Sequence, residues 1–190
     1  TAKNSMTGQP LRGIAGFLPI ADSLGRPIQD AGFDLRLITN RTVLQTKSRT
    51  VSNYWLLDCL PENFIEVHTV DADRLGLRDG QKARIVSATN TQGVWDLKNG
   101  RTVPIIGTVK VTEGIRPGVV TFTLGHGHWS YGSDDQVVDG KVVKGDPRRG
   151  AGAHANAVMR VDDHMKNTTL SDVVGGSAVF YDTMVRVVPV

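Results

Sequence analysis

The chain has 190 residues, of which 39% are hydrophobic and 22% charged, and its formal net charge is +3. This is the composition of an ordinary globular domain that can bury its own core, and the charge is too small to indicate nucleic-acid binding. The single cysteine, Cys59, excludes an internal disulfide and a thiolate metal cluster, and we expect it to be a buried structural thiol. Because no run of about 18 apolar residues occurs, no direct membrane insertion is predicted.

The first third of the chain predicts a lead-in segment, a strand, a helix and a second strand. Residues 1–30 are interrupted by Gly, Pro and Ser, so they are expected to pack on a core that residues 31–190 build. Residues 33–39 alternate between apolar and charged side chains, which indicates a half-buried strand. An apolar run at 53–60 predicts two helical turns, and residues 64–70 alternate again as a strand.

The middle of the chain predicts one short helix and several strands. Asp71 is expected to cap the helix, because its carboxylate can accept the free amides of a first turn. Gly76 is expected to end it in the left-handed conformation. Strands are predicted at 81–88 and 105–112, with a hairpin over 89–104 between them.

A short internal repeat bears on the fold class. Residues 76–86 and 114–124 share the pattern Gly-(Leu/Ile)-Arg-x-Gly followed by a strand, which indicates a barrel with internal pseudo-symmetry. Residues 125–156 are rich in glycine and predicted to be irregular, and the last strand is predicted within 180–190. The pattern as a whole favours a β-rich barrel with short helices.

The loop after the first predicted strand is the first candidate site. From Arg36 to Leu57 the chain contains no Asp or Glu, while hydroxyls, amides and positive charges are frequent. These groups are the donors that phosphate oxygens require, and a carboxylate among them would repel such a ligand. The loop therefore predicts a site for a phosphorylated ligand, with a solvated connection as the alternative.

Two further segments carry polar and aromatic side chains. His126, Gly127, His128 and Trp129 offer hydrogen bonds, flat surfaces and a glycine that lets backbone approach a ligand closely. The alternatives are plain loop packing and a metal site made by these histidines with His154 or His164. Asn156 can donate and accept against the edge of a heterocycle, although an Asn in a turn is common. No catalytic residue is assigned, since neither a nucleophile motif nor a recognisable pair of carboxylates occurs.

Several separated segments together resemble one family. They are LRLITNRTVLQTKSRTVSN, ENFIEVHTVDADRLGLRDGQKARIVSATN, VKVTEGIRPGVVTFTLGHGHW and ANAVMRVD. They are similar, in the same order, to the C-terminal molybdopterin-dinucleotide-binding domain of the dimethyl-sulfoxide-reductase family. Within that family the tail of the chain looks closest to tetrathionate reductase large subunits, followed by arsenate and thiosulfate/polysulfide reductases.

The resemblance implies a fold, a cofactor and a set of contacts. The implied fold is a double-psi β-barrel over residues 31–190. The implied cofactor is molybdopterin guanine dinucleotide, whose pterin holds a molybdenum or tungsten ion, so that this chain does not ligate the metal itself. The contacts implied are Thr39, Asn40, Arg41, Thr42, Gln45, Lys47, Ser48, Arg49, Thr50, His126, Gly127, His128, Trp129, Asn156, Phe180 and Tyr181.

The resemblance also implies what lies outside this sequence. An iron–sulfur cluster and the protein ligand to the metal belong to other domains of a large catalytic subunit, so the chain is expected to be inactive alone. An iron–sulfur electron-transfer subunit is the expected partner, and the extracytoplasmic side of the membrane is the expected location. The competing hypotheses are a double-psi barrel that binds proteins or peptides and a self-sufficient histidine–metal protein.

Overall fold

The computed structural model describes residues 2–129, 132–172 and 174–190. Two helices lie in these ranges, α1 Tyr54–Cys59 and α2 Thr69–Leu75. The strands are β1 Leu35–Asn40, β2 Phe64–His68, β3 Lys82–Ser87, β4 Val94–Asp96, β5 Thr102–Pro104, β6 Ile106–Thr112, β7 Val119–Thr123, β8 Gln136–Val138, β9 Lys141–Val143 and β10 Thr183–Pro189. Single 3₁₀ turns occur at Lys47–Arg49, Pro147–Gly150 and Ala155–Val158.

Six of the strands close into a barrel in the order β1-β10-β3-β6-β2-β7. The pairs β1–β7 and β2–β6 are parallel and the other four are antiparallel. If β1 is exchanged with β6, β2 with β7 and β3 with β10, each parallel pair becomes a parallel pair of the same barrel, and each antiparallel pair becomes an antiparallel pair. This pseudo-twofold pairing is that of a double-psi β-barrel, and the predicted fold class is confirmed.

The pseudo-symmetry is present, but the sequence repeat that suggested it does not follow it. The two repeated turns lead into β3 and β7, whereas the pairing pattern makes β3 equivalent to β10 and β7 equivalent to β2. The two turns instead share a local role, because the backbone amide of the last glycine in each turn donates a hydrogen bond to another segment of the chain. The Gly80 amide donates to the carbonyl of Val109, and the Gly118 amide donates to Asp71.

Alternation along the strands fills the barrel with apolar side chains. Leu35 and Leu37 of β1, Ile65 of β2 and Ile85 of β3 are all inaccessible to solvent and belong to one buried cluster. Alternate residues of the same strands point outward, as a pleated strand requires. Burying a large aliphatic side chain contributes about 1.5–3 kcal/mol, so this cluster is the main source of stability.

The two helices lie where the sequence predicted them, with two corrections. Asp71 does not cap α2; the Nδ1 atom of His68 accepts the Val70 amide in that role, and Asp71 is buried in the first turn. Gly76 does end the helix at φ 67°. Cys59 is exposed and not buried, because only Leu57 of the short surface helix α1 faces the core.

Residues outside the barrel also correct the sequence interpretation. The region expected to be irregular contains a regular hairpin, β8–β9, which turns at Asp139-Gly140. Asp162, for which the sequence analysis offers no role, is buried and accepts both the amide and the hydroxyl of Ser23. With the ion pair between Arg160 and Asp30, this contact ties residues 22–30 to the body of the protein. The domain boundary at residue 30 stays a prediction.

Candidate functional site

Strand direction brings the candidate residues to one end of the barrel. At this end β1, β3 and β7 finish while β2, β6 and β10 begin, because neighbouring strands in the ring keep the stated parallel and antiparallel senses. The segments that leave this end are 41–53, 88–105, 124–159 and 180–182. We call it the upper end. The opposite end, with the segments 30–34, 69–81 and 113–118, is the lower end.

Glycines lock the upper-end loops to one another. Gly125 has φ 105°, and a Cβ placed there would lie 2.6 Å from the backbone of Lys47. Gly127 has φ 72°, and its Cβ would lie 2.4 Å from the amide nitrogen of His154. The space expected to admit a ligand beside these glycines is therefore filled by the protein's own backbone. Their role is to fasten the loop after β7 to the loop after β1 and to residues 152–154.

Asn63 is a third fastening point, which the sequence did not single out. It is 1% exposed, its Nδ2 donates to the carbonyls of Thr123 and Ala153, and its Oδ1 accepts the Ala153 amide at 2.8 Å. One side chain therefore joins the end of β7 to the segment before the 3₁₀ turn at Ala155–Val158. A lone Asn after a Pro-Glu pair carries no signal of this role in the sequence.

The acid-free loop presents unpaired positive charge. Arg41, Lys47 and Arg49 are exposed, and within the described ranges no ion pair joins any of them to a carboxylate. Two of the hydroxyls are used inside the loop, since Thr42 Oγ1 accepts the Leu44 amide and Thr50 Oγ1 accepts the Thr46 amide. The side chain of Ser48 lies outside what the structure describes. Thr39 is buried at the end of β1, and Asn40 beside it is exposed.

Buried polar atoms without partners accumulate at the same end. Gln45 is 3% exposed, and neither its Oε1 nor its Nε2 has a hydrogen-bond partner in the described part of the chain. The same holds for both ring nitrogens of His126 and for Trp129 Nε1. An unsatisfied buried polar group costs about 1–3 kcal/mol, so native proteins rarely leave several together. Because protein covers these atoms, a ligand reaches them only when the loop moves.

His128 lies in an aromatic cluster with two residues from other segments. Its ring centroid is 4.2 Å from that of His154, which in turn is 4.2 Å from that of Trp95 on β4. Burial lowers the pKa of His126 to about 4, and burial together with nearby His128 lowers the pKa of His154 to about 3. The rings are therefore uncharged at neutral pH. From sequence, His154 is only a candidate metal ligand and Trp95 carries no signal, because their contact depends on how the β4–β5 hairpin folds back.

The remaining predicted residues lie at the upper end but differ in exposure. Asn156 is exposed within the 3₁₀ turn, and the turn is held to the loop after β3 by a bond from Asn90 Nδ2 to the Ala157 carbonyl at 2.7 Å. Phe180 and Tyr181 are 36% and 55% exposed, and Asp182 separates them from the start of β10. In the described residues, no group of three or more His, Cys, Asp or Glu side chains is arranged to hold a metal ion.

The fold and this end of it define a class of protein. A rigid barrel that gathers unpaired cations, unpartnered amide and indole donors and flat aromatic rings at one end is a binding domain for a large anionic ligand with a heterocycle. The family comparison agrees: residues 35–173 match the model described as the molydopterin dinucleotide binding domain. The chain belongs to this family, and the predictions of the family and of molybdopterin guanine dinucleotide as its cofactor are confirmed.

The curated relatives that the chain matches are subunits of reductases. It is 44% identical over 98% of its length to the A subunit of selenate reductase from Mesobacillus selenatarsenatis, of which it covers 18%. It is 29% identical over 64% of its length to ArrA, the molybdopterin-containing polypeptide of the arsenate respiratory reductase of Shewanella sp. (strain ANA-3), covering 14% of it. It is 26% identical over 93% to the A subunit of tetrathionate reductase from Salmonella typhimurium, covering 16%. The chain thus spans less than a fifth of these relatives.

A solved structure supports the fold. "Acetylene Hydratase from Pelobacter acetylenicus" superposes with a TM-score of 0.60 over 93% of this chain and 21% of its own, at 16% identity. The family match ends at residue 173, so β10, which closes the barrel between β1 and β3, lies beyond it. None of the helices in the described ranges has the length and apolar character needed to cross a bilayer.

Proposed function

We propose that the chain is the cofactor-holding domain of the large subunit of a molybdenum or tungsten oxidoreductase that reduces an oxyanion of selenium, arsenic or sulfur. The observation that carries the proposal is the 44% identity to the selenate reductase polypeptide over nearly the whole chain, against 26% and 29% for the tetrathionate and arsenate enzymes. The resemblance seen in the sequence implies sulfur and arsenic compounds, and this similarity adds selenium as the first substrate class to test.

The residues at the upper end fit the cofactor chemically. Arg41, Lys47 and Arg49 supply the cations that a pyrophosphate requires, in a loop from which carboxylates are excluded. Gln45 and Trp129 supply unpartnered donors suited to the edge of a pterin or guanine. The other proposed contacts belong to segments of the same end, and they are Thr39, Asn40, Thr42, Ser48, Thr50, His126, Gly127, His128, Asn156, Phe180 and Tyr181.

The chain's own contribution is to bind and orient. When bound, the cofactor supplies the metal at which electrons and an oxygen atom are exchanged. The close approaches at Gly125 and Gly127 fasten the upper-end loops to one another. His126 and His154 are uncharged at neutral pH, so neither histidine adds positive charge to the buried side of the site. Further parts of this proposal are the remaining domains of the large subunit, an extracytoplasmic location and an iron–sulfur partner subunit.

The test is made on the native enzyme. It is purified from its source with an antibody to this chain and analysed for subunit mass, molybdenum, tungsten and released guanosine nucleotide, and it is assayed with selenate, arsenate and tetrathionate. We expect a polypeptide several times longer than this chain that carries one of the metals and reduces selenate fastest. A native product of 20.6 kDa without metal or nucleotide would contradict the proposal and favour the protein-binding barrel.

The loop cations are tested in the same enzyme with charge-neutral variants. Arg41→Gln is expected to lower molybdenum occupancy roughly tenfold, because it removes a charge-assisted bond to phosphate. Arg116→Gln, an exposed change at the lower end, is the matched control and should leave occupancy unchanged. Equal occupancy in both variants would remove Arg41 from the site.

A further inference from the structure

A second cationic site lies on the outer wall of the barrel. A groove of about 470 Å³ runs along β3 and β10 under the segment that leads from β3 to β4. It is lined by Arg84, Val86, Thr91, Gln92, Val94, Arg186 and Val188. Arg84 and Arg186 point outward, since their strand neighbours Ile85 and Val187 are in the core. The groove thus lies on the side of the barrel, and Thr91, Gln92 and Val94 of the upper-end segment 88–105 form one of its walls.

Arg84 and Arg186 occupy diagonal positions across the strand pair. In the antiparallel register, Val188 lies opposite Arg84, and Arg186 lies opposite Val86. Diagonal positions of this kind place Cβ atoms roughly 7–8 Å apart, which two long side chains easily span. Like charges on two side chains that line one groove repel each other, and an anion bound between them offsets that repulsion.

Every other cation on the barrel strands has an acidic partner. Arg36 pairs with Asp182, Lys82 with Glu62 and Lys110 with Glu66. In the part of the chain that the structure describes, no such pair involves Arg84 or Arg186. Arg84 and Arg186 are therefore the cations of the described barrel strands that have no acidic partner.

Both arginines are held in place without a counter-ion. Gly93, at φ 60°, lies so close to the Arg84 stem that a Cβ there would be 2.8 Å from Arg84 Cγ. Arg84 Nη1 donates to the Gln92 carbonyl, while its buried Nε has no partner in the described residues. The Arg186 guanidinium lies over the Phe33 ring, 5.6 Å from its centroid. Fixed guanidinium groups bind two-oxygen acceptors well because little side-chain freedom is lost on binding.

We propose that this groove binds an anion whose oxygens bridge Arg84 and Arg186, with the Thr91 hydroxyl and Gln92 amide as neighbouring polar groups. A carboxylate and a tetrahedral oxyanion share the required chemistry. The first comes from an acidic side chain of a neighbouring protein surface, and the second is a free ion. None of the residues that line the groove is a proposed contact of the cofactor, so this site stands or fails independently of the proposed function.

The test is a titration of the 190-residue chain at constant ionic strength, with sodium chloride replaced stepwise by sulfate or by acetate. Constant ionic strength separates binding from screening. The arginine Nε–H signals are followed by NMR, and Arg84→Gln and Arg186→Gln assign the two signals. We expect saturable shifts of both signals, and in Arg186→Gln a half-saturating concentration raised roughly tenfold or more.

Controls locate the site and identify the source of the anion. Arg116→Gln should leave the titration unchanged, which excludes general surface charge. Sulfate binding much tighter than acetate assigns the groove to a free oxyanion, and acetate binding as tightly as sulfate assigns it to a protein carboxylate. Shifts that do not saturate, or that persist unchanged in the Arg84→Gln/Arg186→Gln double variant, overturn the proposal.

Discussion

The two ends of the barrel are built from the same kinds of residue but differ in how completely they are satisfied. At the lower end, buried Asp71 accepts the Gly118 amide at 2.6 Å and Arg74 Nη2 at 3.0 Å. Asp79 accepts the Val111 amide at 2.8 Å, and Arg74 also pairs with Asp34. Each of these acids and this arginine finds its partner within the chain.

The upper end, in contrast, contains polar and charged side chains that have no such partners in the described ranges. Buried Gln45 and His126 have no hydrogen-bond partner in the described ranges, and the cations of the loop after β1 have no carboxylate. Among the described residues, the buried side chain of Asp71 at the lower end is paired, whereas those of Gln45 and His126 at the upper end are not, which is the pattern of an end that binds a ligand. The comparison therefore separates stability from binding: changes at the lower end should affect folding, and changes at the upper end should affect the cofactor as well.

The largest expected difference is in the free energy of unfolding lost when alanine replaces either of two glycines that have similar backbone angles. Gly127→Ala at the upper end is expected to cost about 4 kcal/mol or more, because the new Cβ meets the His154 backbone. Gly118→Ala at the lower end, where nothing lies within 4 Å of the new Cβ, should cost about 1–2 kcal/mol from the left-handed backbone alone. Urea unfolding of the chain measures both. Equal losses would mean that the upper-end loops are not interlocked as described.

Acid should weaken the protein through the upper end first. His126 and His154 have folded pKa values of about 4 and 3, below the ordinary 6.5, so the unfolded chain binds their protons more readily. The stabilisation they give is complete above pH 6.5 and is lost as pH falls toward 4. From pH 7 to 5 we expect a loss of about 1–2 kcal/mol for each histidine. His154→Gln should roughly halve this loss of stability between pH 7 and pH 5. Urea unfolding at the two pH values measures the loss, and an undiminished loss in the variant would contradict the prediction.

The difference between the ends also explains what could be predicted from the sequence. The strands were predictable, because alternation such as that of Leu35, Arg36 and Leu37 follows directly from one buried face. The acid-free loop was visible because an absence of carboxylates over residues 37–57 is a property of composition. Neither of these two predictions requires knowing which distant segments of the chain are in contact.

What could not be predicted depends on long-range contacts. The stacking of Trp95 on His154 and the role of Asn63 require the hairpin and the loop after β7 to fold back over the barrel. Cys59 was misjudged because an apolar run of six residues forms a surface helix with a single buried position. Asp71 has the residue type of a helix cap, but its carboxylate is used by the turn before β7, which lies 47 residues away.

Asp71→Ala tests the lower end alone. Its carboxylate bonds a backbone amide and an arginine from a buried position, so its removal should cost about 2–3 kcal/mol. Asp73→Ala on the exposed face of the same helix is the control and should stay within about 0.5 kcal/mol. In the full enzyme, cofactor occupancy per folded molecule should not change in either variant. Selective loss of cofactor in Asp71→Ala would break the separation between the two ends.

The smallest expected effect is a change in the free energy of unfolding when leucine replaces a glutamine, and this change has opposite signs at the two ends. Gln45→Leu removes a buried amide that has no partner in the described residues, so the chain without cofactor should become more stable by about 1 kcal/mol, while cofactor occupancy of the full enzyme falls. Gln81→Leu at the lower end removes an Oε1 that accepts the Arg78 amide at 2.8 Å, so it should destabilise by about 1 kcal/mol and leave occupancy unchanged. Urea unfolding and metal analysis measure the two quantities. If Gln45→Leu also destabilises the chain, its amide has a partner in solution, and the incomplete upper end loses its clearest support.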